Sequence, residues 1–330
     1  MPRPLSDQVV VITGASSGIG RETALLLGRL GSRLVLAARN REALEALAAD
    51  IRREGGRAAV VPTDVADAEA VERLAEAAVE QFGRIDTWVS NAGIALYSRF
   101  EDQTVEEMRR IMEVHFWGTV HGFKAALPRM KAQGSGTVIC VGSVLSDAAV
   151  PLQSAYVAAK HAIKGLTASI RQELLHEDLP IQVCVIKPTS MDTPLFEHAK
   201  TRLGVEPRGI APLYDPVLVA RAIAHCCEKP ERELLVGGSG ELFSLLEHVA
   251  PRVLDWQQSR MGYASQRTDV PKSENAPSNL FHPVAEPGRS RVKNSGWRVS
   301  WVTWMREHPR TTMAGAALAT LTLIGSRARR

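Results

Sequence analysis

The chain has 330 residues, 45% of them hydrophobic and 23% charged, an ordinary composition for a chain with a substantial core. Its net charge of +4 hides a division: residues 251–330 hold 13 Lys and Arg against 5 Asp and Glu, so the first 250 residues are mildly acidic. That body has no basic excess to attract nucleic acid, and the four cysteines, Cys140, Cys184, Cys226 and Cys227, have neither metal-ligand nor redox spacing.

The opening "MPRPLSDQVVVITG" runs straight into a strand pattern, without the basic start, apolar stretch and cleavage site of a signal peptide. A cytoplasmic location is therefore expected. Short β-branched runs follow: Val9–Thr13, Arg33–Ala38, Ala58–Pro62, Thr87–Ser90, Thr137–Val141, Ile181–Lys187 and Glu233–Val236. Amphipathic stretches lie between them: Arg41–Glu54, Ala66–Phe82, Val105–Met130, Ala155–His176 and Pro216–Glu228. Apolar strands alternating with helices imply an α/β fold, a Rossmann-like doubly wound parallel sheet with helices on both faces. Residues 1–250 are expected to form this domain, residues 251–295 a flexible linker rich in Pro, Ser and Asn, and residues 296–330 a basic, aromatic and apolar tail ending in an apolar helix.

The first run leads into "TGASSGIG". Gly14, Gly18 and Gly20 permit a tight turn, close approach of a pyrophosphate and close packing of the next helix. Ser16, Ser17 and Ile19 lie in the same turn, whose helix start offers free N–H groups to phosphate. The second run ends in Ala38 and Arg39, where a dinucleotide site for the unphosphorylated cofactor carries an acidic residue. A guanidinium there suits a 2′-phosphate, with Arg41 and Arg21 as candidate auxiliaries. NADP(H) is accordingly the expected cofactor, the other reading of Arg39 being a solvated loop residue. "TDV" ends the third run, placing Asp64 and Val65 at the adenine; "NAG" ends the fourth, placing Asn91, Ala92 and Gly93 at the ribose.

Downstream, "SAYVAAKHA" sets Tyr156 and Lys160 one helical turn apart, thirteen residues after Ser143. Together with the glycine turn, "TDV", "NAG", Pro188 and Thr193, this ordered set resembles the short-chain dehydrogenase/reductase family, in its single-domain branch, over about residues 7–245. The resemblance implies that Tyr156 is the general acid or base, that Lys160 lowers its pKa and holds the nicotinamide ribose, and that Ser143 orients the substrate oxygen. It implies that Met191 and Thr193 fix the carboxamide and that the chain forms a homodimer or homotetramer through the helices carrying His115 and Tyr156. Two positions depart from the family pattern. His115 stands where the family often has a relay asparagine; either it serves a proton relay, titrating near neutrality, or it only plugs a helix kink. Thr189 stands where a glycine follows the proline.

A non-catalytic NADP-binding protein of the same fold is the rival reading, and the retention of Ser143, Tyr156 and Lys160 speaks against it. The longer epimerase branch and the enoyl-reductase branch have different spacings. The segment Thr193–Pro216, with Leu195, Phe196, Leu203, Ile210, Leu213 and Tyr214, is expected to be a mobile flap over a small lipophilic carbonyl or alcohol substrate. In the tail, Trp297, Trp301 and Trp304 recur near arginines, followed by the uncharged stretch Thr311–Ser326. These residues suit a membrane surface. At 1.5 Å per residue the stretch reaches only ~24 Å of a ~30 Å hydrocarbon layer. Insertion, an interfacial position and packing in a dimer all fit it.

Overall fold

The computed structural model describes residues 2–286, 288–292 and 296–300. In chain order the strands are β1 (Val9–Thr13), β2 (Arg33–Ala38), β3 (Arg57–Pro62), β4 (Thr87–Ser90), β5 (Leu96–Tyr97), β6 (Gly136–Val141), β7 (Ile181–Pro188), β8 (Lys200–Thr201), β9 (Val205–Pro207), β10 (Glu233–Val236) and β11 (Arg267–Pro271). The helices are α1 (Gly18–Arg29), α2 (Arg41–Arg53), α3 (Ala68–Phe82), α4 (Val105–Met112), α5 (Gly118–Gln133), α6 (Ser154–His176), α7 (Val217–Glu228), α8 (Gly238–Val249), α9 (Pro251–Gln257) and the short α10 (Tyr263–Ser265).

Seven strands form one sheet in the order β10-β7-β6-β4-β1-β2-β3. Every pairing in it is parallel. The central strand β1 is buried at all five positions, because helices cover both faces. One face packs against Leu27 of α1, Leu44 and Leu47 of α2, and Val219 and Ile223 of α7. The other packs against Leu74 of α3, Ile111 of α4, Phe123 of α5 and Ile163 of α6. The chain winds outward from β1 to β3 and then returns to β4 on the other side of β1. The carboxyl ends of β1 and β4 therefore diverge into a crevice, where ligands bind in such sheets.

Local signals set the helix ends. Asn40 caps α2 by accepting from the Ala43 N–H, Asp67 caps α3, and Thr104 with Glu107 forms a capping box on α4. The expected single helix from Val105 to Met130 is interrupted by a π-helical turn at Glu113–Trp117, and His115 lies in it.

The flap and the expected linker are both built into the body. Within the flap, β8 pairs with β5 and β9 pairs with β11. Residues 251–271 form α9, a π-helical turn at Gln258–Gly262, α10 and β11. Leu254 is buried, and Leu280 is fully buried in the core on the α3–α6 face. Composition pointed to a mobile linker because the segment has few apolar residues. Two of them suffice as anchors once its backbone finds partners on the body. Residues 301–330 lie outside the described residues. No helix among those described is long and apolar enough to cross a membrane.

Leu280 gives this docking a direct test. Leu280→Ala is expected to lower the unfolding free energy by about 2–4 kcal/mol, the usual range for a buried leucine. Urea unfolding checks this, and a change below about 0.5 kcal/mol, typical of a surface site, would mean the segment is not packed.

Candidate active site

The crevice begins at the glycine turn. Gly14 has φ +66°, and a Cβ there would lie 2.7 Å from the Ala92 Cα; a Cβ on Gly20 would lie 2.3 Å from the Gly14 carbonyl oxygen. Only glycine fits at either position. Asn91 ties the ends of β1 and β4 together. Its Nδ2 donates to the carbonyls of Thr13 (2.9 Å) and Gly14 (3.2 Å), while the Thr13 hydroxyl accepts from the N–H groups of Asn91 and Ala92. Thr193 stands over the turn, its Cβ 3.3 Å from where a Gly18 side chain would begin.

A cavity of about 480 Å³ runs from this turn to the far end of the crevice. Its wall brings together Gly14, Ser16, Ser17, Gly18, Ile19, Arg39, Asp64, Val65, Asn91, Ala92, Gly93, His115, Ser143, Tyr156, Lys160, Pro188, Met191 and Thr193. Gly20 is not on this wall and serves packing behind it.

At the β2 end, the Arg39 guanidinium donates to the carbonyls of Asn279 and Phe281 and forms no ion pair among the described residues. One Asp64 oxygen pairs with Arg110 at 2.6 Å, and the other accepts from the Ala66 N–H. Neither Arg110 nor the segment around residue 280 was marked by the sequence, since both reach the site from distant elements.

At the other end of the cavity Ser143 and Tyr156 line the same wall, and Ser143 Oγ accepts from the Leu145 N–H at 3.1 Å. Lys160 Nζ donates to the Val141 carbonyl at 2.8 Å and lies 5.4 Å from the centre of the Tyr156 ring. Loss of water pushes the Tyr156 phenol up to about 12, with Ser143 opposing, and pulls Lys160 down to about 8. Burial thus outweighs the pull that Lys160 was expected to exert on the phenol.

His115 meets Tyr156 edge-on, with ring centres 5.0 Å apart. Its Nε2 sits against the Ile94 backbone, 2.8 Å from the carbonyl oxygen and 3.2 Å from the amide nitrogen. Burial and then the charge of Lys160 hold its pKa down at about 3, so it stays neutral rather than titrating near neutrality. Its buried Nδ1 has no partner among the described residues. The imidazole therefore does not plug its own helix; Thr119 Oγ1 takes the freed His115 carbonyl at 2.7 Å.

Behind Ser143 sits a buried carboxylate. Asp147 pairs with Lys164 (2.6 Å) and Lys187 (2.7 Å) and accepts from Ser244 (3.0 Å). Burial alone would raise its pKa, but the two lysines outweigh it and hold the carboxyl below the usual range. This cluster pins the Ser143 loop to β7 and α8. The apolar end of the cavity is lined by Leu195, Phe196 and Ile210 of the flap, by Tyr97, and by the α8 residues Leu242, Phe243 and Leu246. The flap was legible in the sequence as a substrate wall and α8 was not.

The short chain dehydrogenase family model matches residues 8–203. An uncharacterized oxidoreductase of Bacillus subtilis, YxnA, is 38% identical over 97% of this chain and 90% of its own length. The putative oxidoreductase SadH of Mycobacterium tuberculosis is 33% identical over 73% of this chain and 90% of its own. Among solved structures, an alcohol dehydrogenase from Thermococcus sibiricus complexed with 5-hydroxy-NADP is 29% identical with a TM-score of 0.61, covering 69% of this chain and 95% of that one. A short chain dehydrogenase/reductase from Burkholderia phymatum in complex with NAD shares the fold at 22% identity and a TM-score of 0.70, covering 76% and 96%. Sheet order, crevice and family match agree, and the chain belongs to the short-chain dehydrogenase/reductase family of oxidoreductases.

Proposed function

We propose that the chain is an NADP(H)-dependent oxidoreductase that moves a hydride between nicotinamide and the carbonyl or alcohol carbon of a lipophilic substrate. The observation that carries this reading is the single cavity joining the glycine turn and Arg39 to Ser143, Tyr156 and Lys160. These residues fit a dinucleotide. The glycine turn sets the start of α1 on the cavity wall, and Arg39 has only neutral carbonyl hydrogen-bond partners, so its charge suits a 2′-phosphate.

Bound nicotinamide supplies the hydride chemistry; the chain supplies position and protons. Ser143, braced by the Leu145 N–H, holds the substrate oxygen beside Tyr156. The raised phenol keeps its proton at neutral pH and delivers it to that oxygen in reduction. Lys160, held by the Val141 carbonyl, is charged below about 8 and stabilises the phenolate left behind. His115 remains neutral, and its buried Nδ1, without a protein partner among the described residues, is placed to hydrogen-bond a water on the path behind Lys160. The apolar wall from Tyr97, Phe196 and α8 favours a hydrophobic ketone, aldehyde or secondary alcohol.

The reading is tested on a panel of such substrates with NADPH and NADH. Wild type is expected to reduce members of the panel with NADPH. Tyr156→Phe is expected to lose about 10²–10⁴ in turnover while still binding cofactor. Arg39→Ser is expected to lower the NADPH-over-NADH preference about ten-fold, through loss of a charge-assisted hydrogen bond. NADPH bound with no turnover of any substrate would instead favour a non-catalytic binding protein of the same fold.

The state of His115 has a signature in stability. Its pKa is about 3 in the fold against 6.5 unfolded, so between those values the unfolded chain binds a proton that the folded one does not. Stability therefore falls as pH drops through that window, by up to about 1.4 kcal/mol per pH unit from this group. Urea unfolding from pH 7 to pH 4 should show a slope that His115→Asn reduces by about one proton. Equal slopes would mean that the imidazole titrates normally in the fold.

We further propose attachment to a membrane surface through residues 296–330. Next to the apolar end of the cavity, Leu242, Leu245 and Val249 of α8 and Val253 and Trp256 of α9 are exposed, a face suited to a lipid boundary. Full-length protein is expected to co-sediment with anionic phospholipid vesicles, and protein lacking residues 301–330 to remain in the supernatant. Full-length protein found wholly in the supernatant would end this proposal.

A further inference from the structure

Residues 279–286 and 288–291 cross the mouth of the crevice above the adenosine end. Their backbone carbonyls meet the groups assigned above to cofactor selection. The carbonyls of Asn279 and Phe281 take Arg39, those of Val284 and Glu286 take Asn40 Nδ2 (3.1 and 3.3 Å), and that of Arg289 takes the Gly18 N–H (2.9 Å). Gly288 lies so close to the glycine turn that a Cβ there would be 2.3 Å from the Ser16 carbonyl oxygen.

The segment is fixed at both ends. Leu280 is fully buried, and its carbonyl takes Arg110 Nε at 3.1 Å. Arg291 makes two bonds to Glu22 (both 3.0 Å) and two to Asp215 (2.8 and 2.7 Å). It also grips the substrate flap: Arg289 pairs with Glu197, Glu286 with His198, and the Asn279 N–H donates to the His198 carbonyl at 2.9 Å. A segment that competed with the cofactor would fill the site. This one borders it, since Asn279, Pro283, Val284, Glu286, Gly288 and Arg289 line the open cavity together with Gly14, Arg39 and Asp64.

We propose that residues 279–286 and 288–291 are a retaining wall of the dinucleotide site, a strap that orients Arg39 and slows release of the cofactor. A guanidinium has five N–H donors in a rigid plane. Two carbonyls on one edge set that plane and leave the other donors for a phosphate. Because the strap is tied to both the glycine turn and the flap, a cofactor in the cavity leaves only when these contacts open. The inference rests on the reading that a nicotinamide dinucleotide binds here.

The test follows NADPH release by stopped-flow fluorescence in full-length wild type and Gly288→Ala, whose added methyl forces the strap away from Ser16. The expected result is a dissociation rate raised about ten-fold and a Kd raised in proportion, as for loss of about one or two hydrogen bonds. The urea-unfolding midpoint of the variant should stay that of wild type, which general damage to the fold would not allow. A dissociation rate within two-fold of wild type, or tighter binding, overturns the proposal. A second measurement needs no variant: NADPH should slow amide exchange in residues 279–291 of wild type, and faster exchange would show the strap expelled and the proposal wrong. If wild type holds NADH and not NADPH, the assignment of Arg39 fails, and the strap is judged by NADH release on the same criteria. If it binds neither dinucleotide at millimolar concentration, both readings fall.

Discussion

The hydrogen bonds from Asn91 to the carbonyls of Thr13 and Gly14 fix the place where two adjacent parallel strands part company. The chain has wound away from β1 on one side and returned beside it on the other, so no connection crosses between β1 and β4 at their carboxyl ends. That absence makes a crevice, and Asn91 keeps its floor rigid. The glycine turn rests on this floor with no room for side chains, which brings the start of α1 to the cavity wall. The other site groups come from the ends of β2, β3, β6 and β7 and from the start of α6, all at the same edge of the sheet.

Burial governs the Tyr156 end of the cavity. Within one turn of α6 the same burial raises the Tyr156 phenol and lowers the Lys160 ammonium, so their pKa values move toward each other, to about 12 and about 8. A proton donor near a cation that is only weakly held charged can respond to the further charge that arrives with a ligand. His115 belongs to the same dry region and remains neutral for the same reason. The π-helical turn at Glu113–Trp117 carries the imidazole to the Ile94 backbone, across the cavity wall from its own helix.

Much of this was legible in the sequence because it is local. Strand runs, helix faces and the glycine turn depend on neighbours a few residues apart, and the seven sheet strands were located to within a residue or so. Tyr156 and Lys160 share a turn of one helix, so their spacing alone brings them together. The partners of these groups were not legible. Arg110 reaches Asp64 across 46 residues of chain, Lys187 reaches Asp147 across 40, and Asn279 reaches Arg39 across 240. A salt bridge or a carbonyl acceptor leaves no periodic trace, and the polarity of these side chains suggested solvent where the fold supplies each other's charges.

The segment after residue 250 shows the limit of composition most clearly. Pro, Ser, Asn and charge in place of apolar residues mark a chain that cannot build its own core. A segment laid across an existing body has a smaller requirement. Its carbonyls are acceptors whatever the side chains, and the crevice presents donors to them at Gly18, Arg39, Asn40 and Arg110. One buried leucine at one end and one arginine between two carboxylates at the other supply the anchoring that a helix would obtain from a whole apolar face. Proline and glycine, which count against helix and strand, suit this extended path, and at Gly288 the lack of a side chain is what allows backbone to lie on backbone. Donors along the rim of the crevice thus hold the chain's own carbonyls, which is why the C-terminal segment is ordered over the site rather than elsewhere on the surface.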